Sequence, residues 1–599
     1  MRLQFASPAV LLLLLLSLRP LLAAAGNEAD QQAKVLFETD WQWRMQNQPE
    51  YATTVGDYRY NATLTDTSLA AGRAAVAWQR KTLEQARLIE RDKLTAQNAL
   101  SLDLFVYEKE LLVRGAAFAP FTIQPLSSQH GLHLNLVQTV AQMPFATETD
   151  YRNYLSRLDA LPAHVAGLTE QLREGIRTGW VAPKTTVRDV PAILKALRET
   201  AVSGALGQPF RQIPATIDKP VRDALAVSGP ATLRTKAVPA LQELEDFMRA
   251  EYLPAARESI AASALPGGQE YYAFLVAQYT GGGATALTAA EIHALGLREV
   301  ARIHALMPAA IKRTGFKGSF TKFAAFASTD KRLFPPAPEA LLARYRRLIA
   351  RAGDGLPQLF TVIPAQALLV KPASAQAGAT LGAAWYEAGV ADRPAAFVVN
   401  TSRLHTRPLW EMETLALHEA LPGHHLQVAH AREIGELPPF RRLGWNTAFG
   451  EGWAMYAETL GPELGFYKDP FSAFGHLNAE LFRAVRLVVD TGIHSQGWTR
   501  HQALDYMAAN TANPAPDNEL EVDRYIAWPG QALGYKVGQL KIQALRNKAQ
   551  AALGERFDVR RFHGAVLDNG PLPLVILEQQ VDQWLAASLP KKAAAQAAN

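Results

Sequence analysis

Glu413-Thr-Leu-Ala-Leu-His418-Glu419-Ala-Leu-Pro422-Gly423-His424-His425-Leu-Gln427 is the stretch around which the chain reads. Three histidines and a glutamate fall within eight positions of an apolar, helix-forming segment, the composition of an active-site helix in a zinc hydrolase. In the common H-E-x-x-H spacing the second histidine follows the first by four residues, so both project from one helix face. Here that position is Pro422. In an unbroken α-helix His425, seven residues on, would share the face of His418 but stand about 10.5 Å further along the axis. Pro422 cannot donate to the carbonyl of His418, and its ring clashes there, so a kink or bulge is expected, which Gly423 permits. Read as a two-residue bulge, Pro422-Gly423 carries His424 into the role of second ligand, with His425 as the alternative ligand.

A third ligand is required. Phe449-Gly-Glu451-Gly-Trp-Ala-Met-Tyr-Ala-Glu458 is helical in pattern, with Glu451 and Glu458 two turns apart on one face. A carboxylate from a second helix completes a His₂Glu set that leaves zinc an open position for water. Glu451 is the expected ligand, and Glu458 the outer partner. Glu419, beside His418 but not a ligand, is the expected general base.

These motifs resemble the bacterial DUF885 family, a group placed beside the gluzincin-type relatives of the HExxH zinc metallopeptidases. Asp490-Thr-Gly-Ile-His494-Ser-Gln-Gly-Trp498 and Pro529-Gly-Gln-Ala-Leu-Gly-Tyr535-Lys-Val-Gly538 are further family-like segments. The resemblance covers nearly all of the mature chain. It implies a mainly α, large, two-lobed helical metallopeptidase-like fold with a deep cleft, similar to oligopeptidases and dipeptidyl carboxypeptidases. It also supports His424 as ligand, because Gly423-His424 matches the Gly-His ending of related helices. Family members often carry a lipoprotein cysteine, and this chain has none.

The later segments also carry chemistry of their own. Arg486, Asp490 and His494 recur every four residues, so on a helix Asp490 could orient His494 and pair with Arg486. A carboxylate-held histidine can donate to a developing oxyanion. Tyr535, between glycines, is a second donor candidate; Arg524 and Tyr525 are candidates for holding a substrate carboxylate. Upstream, Phe360-Thr-Val-Ile-Pro364 and Ala395-Ala-Phe-Val-Val-Asn400 read as short strands. An edge strand there, ending at Asn400, could pair with an extended peptide substrate.

Around this core, the rest of the chain narrows the classes. With 599 residues, 48% hydrophobic and 20% charged, it describes a large globular protein rather than a disordered one. A net charge of +5 without a dense basic block gives no reason to expect nucleic-acid binding. Arg2, the apolar run from Val10 and Ala23-Ala-Ala25 form a signal peptide over 1–25, which predicts export to the periplasm or medium without stable membrane insertion. The absence of cysteine excludes disulfides, thiolate ligands and a cysteine nucleophile.

Residues 26–265 are expected to form an N-terminal helical lobe, with helices over 71–98, 148–178, 190–200 and 239–262. The catalytic lobe follows over 266–599, beginning with Thr288-Ala-Ala-Glu291, a capping box for a helix through Ala305. Together these features predict a secreted, Zn²⁺-dependent metallopeptidase acting on oligopeptides. The alternatives are hydrolysis of a non-peptide amide or ester, and a non-catalytic zinc- or peptide-binding protein.

Overall fold

The computed structural model describes residues 27–118, 126–283, 286–374, 378, 382–390 and 393–589. The expected signal peptide lies outside them. The described chain is mainly α, with one small three-stranded sheet.

Helix boundaries follow local chemistry. Glu148–Thr178 starts in a capping box between Thr147 and Asp150 and stops at Gly179, whose φ of 79° is left-handed. Its buried positions, among them Tyr151, Tyr154, Leu158, Leu161, Val165, Leu168 and Leu172, recur at three and four residues. The Thr288/Glu291 box opens helix α1, Ala289–Arg313, two turns longer than the pattern suggested. The helix expected over 71–98 divides into Leu69–Arg87 and Ala96–Gly115.

Burial organises the chain into several cores. Phe37 and Phe105 from the early helices pack on Phe440, with ring centroids 5.3 and 5.7 Å away, in the core that also holds Leu417, Trp453 and Tyr456. The helices before residue 116 therefore share their apolar faces with the segment that carries His418. Residues between Leu126 and Ala256 close around a second core. Helix α2, Pro338–Gly355, presses Tyr345 against Phe397 of the sheet.

Five further helices frame the site: α3 Met412–Glu419, α4 His424–Glu433, α5 Thr447–Thr459, α6 Pro470–Gln496 and α7 Ala515–Ala527. Helix α8, Leu533–Leu553, packs on α5. A Cβ on Gly538 would lie 1.9 Å from the Ala448 carbonyl, so only glycine permits this approach of α8 to α5. The long α6 is held against α1 by Val300, Ile303 and Met307 on one side and Leu481, Val485 and Val488 on the other. Each such side chain contributes about 1.5–3 kcal/mol over exposure, which anchors α6 along most of its length.

Strands β1, Leu368–Pro372, β2, Ala384–Glu387, and β3, Ala395–Val399, lie in the order β1-β3-β2, with β1 parallel and β2 antiparallel to β3. Two expectations are corrected here. Phe360–Pro364 is not a strand; Phe360 is a core residue stacked on His563 at 4.8 Å, and strand begins only at Leu368. Nor is 395–399 an edge. All five of its residues are buried, as befits an uninterrupted apolar run paired on both sides. Among the described residues β2 is the edge strand on the cavity side, contributing Ala384, Trp385 and Tyr386 to the wall.

Candidate metal centre

Helix α3 ends at Glu419 because Ala420 leaves the helical region, at φ −108° and ψ −100°. The chain crosses Leu421-Pro422-Gly423 and re-enters a helix at His424. Both His425 N and Leu426 N return to the Ala420 carbonyl, at 3.1 and 3.4 Å, and Trp453 Nε1 donates to the Pro422 carbonyl at 2.9 Å. The bulge is thus tied to α5, the helix that carries Glu451. A Cβ at Gly423 would fall 1.8 Å from the His418 carbonyl oxygen, so no other residue lets the backbone pass so close.

This crossing sets the His418 and His424 rings 4.9 Å apart, nearly perpendicular. Glu451 Oε2 reaches both, at 3.5 Å from His418 Nε2 and 3.4 Å from His424 Nε2. One candidate ligand atom from each of the three residues lies within 4.8 Å of the others. A tetrahedral zinc with bonds of about 2.0–2.2 Å separates its ligand atoms by roughly 3.3–3.6 Å, so spacing and donor types both fit that ion. His425 is turned away: Nε2 meets the Gln366 carbonyl at 3.0 Å and Nδ1 the Tyr386 hydroxyl at 3.3 Å.

Glu458 is almost completely buried and lies 2.7 Å from His418 Nδ1. Its carboxylate accepts a hydrogen bond from Nδ1–H, which turns Nε2 toward Glu451. Arg483 Nη2 lies 3.4 Å from the same carboxylate. Burial alone would lower the pKa of His418, yet Glu451 and Glu458 hold it up to about 9. Against burial, His424 and His418 keep the Glu451 carboxyl far below its usual range. The pocket of carboxylates is therefore electrostatically set for a cation. Replacing Glu458 by Gln removes the charge that orients His418 and should weaken zinc binding about 10- to 100-fold, measured by competition with a chromogenic chelator.

Glu419 lines the same cavity of about 610 Å³, and burial raises its carboxyl. Tyr535 stands on the wall too, its ring parallel to that of His418 at 6.5 Å. Arg524 also faces the cavity.

Four expected residues are placed elsewhere. His494 has no exposed surface; its Nδ1 accepts from Ala262 N at 2.9 Å and its Nε2 donates to the Tyr525 carbonyl at 2.9 Å. Burial drives its pKa down to about 3, so it is a neutral structural crosslink and not an oxyanion donor. Asp490 neither orients His494 nor pairs with Arg486. It accepts from Tyr272 Oη at 2.6 Å and Gly530 N at 3.0 Å and is not among the residues that line the cavity. Tyr525 is buried behind the wall, its hydroxyl 3.1 Å from Arg486 Nε and 2.9 Å from Glu521 Oε2. Asn400 is buried among backbone carbonyls, donating to Gly378 and Gly382 at 2.9 and 3.1 Å, so it shapes the approach to β2.

Other wall residues were not anticipated. Trp445 sits 5.7 Å from His424 and packs so tightly on α5 that a Cβ at Gly450 would lie 2.3 Å from its ring. The glycine before Glu451 was the available sign of that contact. Arg483 and Arg486 of α6, with Glu411, Asp517 and Glu521, line the cavity as well. Burial and the nearby Asp517 push Glu411 up to about 7.

A family of bacterial proteins of unknown function, DUF885, matches residues 49–581, most of the chain. The chain belongs to DUF885. Two solved structures, each of a protein described as a "putative lipoprotein", are similar over nearly the whole DUF885 chain. That from Colwellia psychrerythraea is 28% identical with a TM-score of 0.88, covering 94% of this chain and 100% of its own. That from Shewanella oneidensis is 17% identical with a TM-score of 0.65, covering 92% and 99%, a likeness of fold alone. No curated protein matches the chain. The lipoprotein descriptions accord with export, and among the described residues no helix is long and apolar enough to cross a membrane.

Proposed function

We propose that this DUF885 protein is an exported, periplasmic or secreted zinc-dependent metallopeptidase that hydrolyses oligopeptides. The observation that carries this reading is the convergence of His418 Nε2, His424 Nε2 and Glu451 Oε2, at 3.4–3.5 Å from the shared carboxylate oxygen, beside Glu419 in one large cavity. Zinc held by those three side chains would polarise both a water molecule and the scissile carbonyl. Glu419 takes the proton of the attacking water and returns it to the leaving amine, a role suited by a carboxyl whose pKa burial has raised. The Tyr535 hydroxyl donates to the carbonyl oxygen as negative charge develops there. The edge strand β2 offers backbone groups to an extended peptide, in place of the buried β3.

The test is digestion of a peptide library by chelated and zinc-restored protein, read by mass spectrometry. Zinc restoration should bring back cleavage at defined bonds. A protein holding about one zinc per chain yet inert toward the whole library would refute the peptidase reading.

A further inference from the structure

Three arginines of α6 and α7 share the cavity with the His418–His424–Glu451 cluster: Arg483, Arg486 and Arg524. Arg486 is only 6% exposed; its Nε lies 3.1 Å from the Tyr525 hydroxyl and its Nη2 3.0 Å from Glu521 Oε2. Arg524 donates Nη2 to that same oxygen at 2.9 Å and Nη1 to Gln531 at 2.7 Å. One carboxylate thus answers two guanidinium groups. Arg483 has Nη1 on the Ala479 carbonyl at 3.2 Å and shares Glu458 with His418. Each of the three keeps one nitrogen without a hydrogen-bond partner: Nε in Arg483 and Arg524, Nη1 in Arg486. The other acidic groups of this wall are Asp517, 3.5 Å from Arg407 Nη1, and Glu411.

Buried guanidinium groups that share a single carboxylate are costly unless a further anion offsets their charge. Their planar forks match a carboxylate in particular. Position narrows the choice further. Arg486 Cζ lies 4.4 Å from the Tyr535 ring centroid, and that ring is 6.5 Å from His418. The arginine wall therefore stands one aromatic ring beyond the reacting centre. An extended peptide covers about 3.3–3.6 Å per residue, so roughly one to three residues bridge that gap.

We propose that the cavity takes its peptide by the free C-terminal carboxylate, anchored by Arg524 and Arg486, and cuts within three residues of that end as a carboxypeptidase-type exopeptidase. The assignment rests on the peptidase reading of the metal cluster. The backbone of an internal segment carries no carboxylate and would leave Glu521 as the one anion shared by both arginines.

The experiment compares zinc-loaded full-length protein on matched peptides, free acid against C-terminal amide. The free acid should be cut within three residues of its end, and amidation should lower kcat/KM roughly 10- to 100-fold, mainly through KM. Arg524→Gln should remove that preference by lowering kcat/KM of the free acid toward that of the amide. The acid-to-amide comparison on the wild-type chain stands even if the variant does not fold. Equal cleavage of both at internal bonds would overturn the anchor and leave the peptidase reading intact. Calorimetry with Glu419→Gln separates the remaining cases. Tighter binding of the acid than the amide, with no cleavage by wild type, would support the anchor and reject the peptidase. Equal binding would overturn the anchor.

Discussion

A Glu419→Gln variant should bind zinc with wild-type stoichiometry and hydrolyse peptides roughly 100- to 10,000-fold more slowly, the range lost with a general acid–base group. At about 1.4 kcal/mol per factor of ten, that is a loss of roughly 3–5.5 kcal/mol of transition-state stabilisation. The substitution keeps shape and volume, but an amide cannot take a proton from water. Zinc is retained because Glu419 is not among the three residues whose ligand atoms converge. Stability should hold or rise, since the variant removes a carboxylate whose ionisation burial already disfavours. Metal analysis, a thermal melt and kcat on a single peptide distinguish this outcome from a folding defect. Full activity in the variant would remove Glu419 from the mechanism.

Much of the site could be read from local chemistry. Pro422 removes one backbone donor and Gly423 allows a contact that a Cβ would forbid, so a helix carrying both had to be interrupted between His418 and His424. The mainly helical fold was legible for the same reason: capping boxes such as Thr147/Asp150 and Thr288/Glu291 mark where helices start. What failed were inferences that needed a neighbour. The spacing of Arg486, Asp490 and His494 fixes that they share a helix face, but not what packs against it. Tyr272 and Gly530 take Asp490, and Ala262 and Tyr525 take His494, all from segments distant in sequence. Asn400 and Tyr525 failed likewise, since a polar side chain near a site satisfies backbone as readily as substrate. The short β2 was missed because Ala384-Trp-Tyr-Glu387 becomes a strand only by pairing with β3. The uninterrupted apolar run of β3 did hold the sign that it was central rather than an edge.

The choice between the two adjacent histidines gives the second large effect. His424→Ala should lose stoichiometric zinc and with it all zinc-dependent hydrolysis, because it removes one of the three convergent ligand atoms among the described residues. His425→Ala should keep both. Its cost lies elsewhere: the Gln366 carbonyl and the Tyr386 hydroxyl lose their partner, a deficit of about 1–3 kcal/mol in buried surroundings. The two variants therefore separate in opposite directions. Zinc added to chelated protein should raise the melting temperature of wild type and His425→Ala, since a ligand that binds only the folded chain stabilises it by mass action. It should leave that of His424→Ala unmoved, while His425→Ala melts below wild type in either state. The reverse pattern would mean that Pro422-Gly423 does not deliver His424 to the metal, and the bulge would lose its function. The physical basis for expecting otherwise is the close passage of Gly423 over the His418 carbonyl, with Trp453 holding Pro422 to α5. Those two contacts fix where α4 begins, and the first residue of α4 is His424.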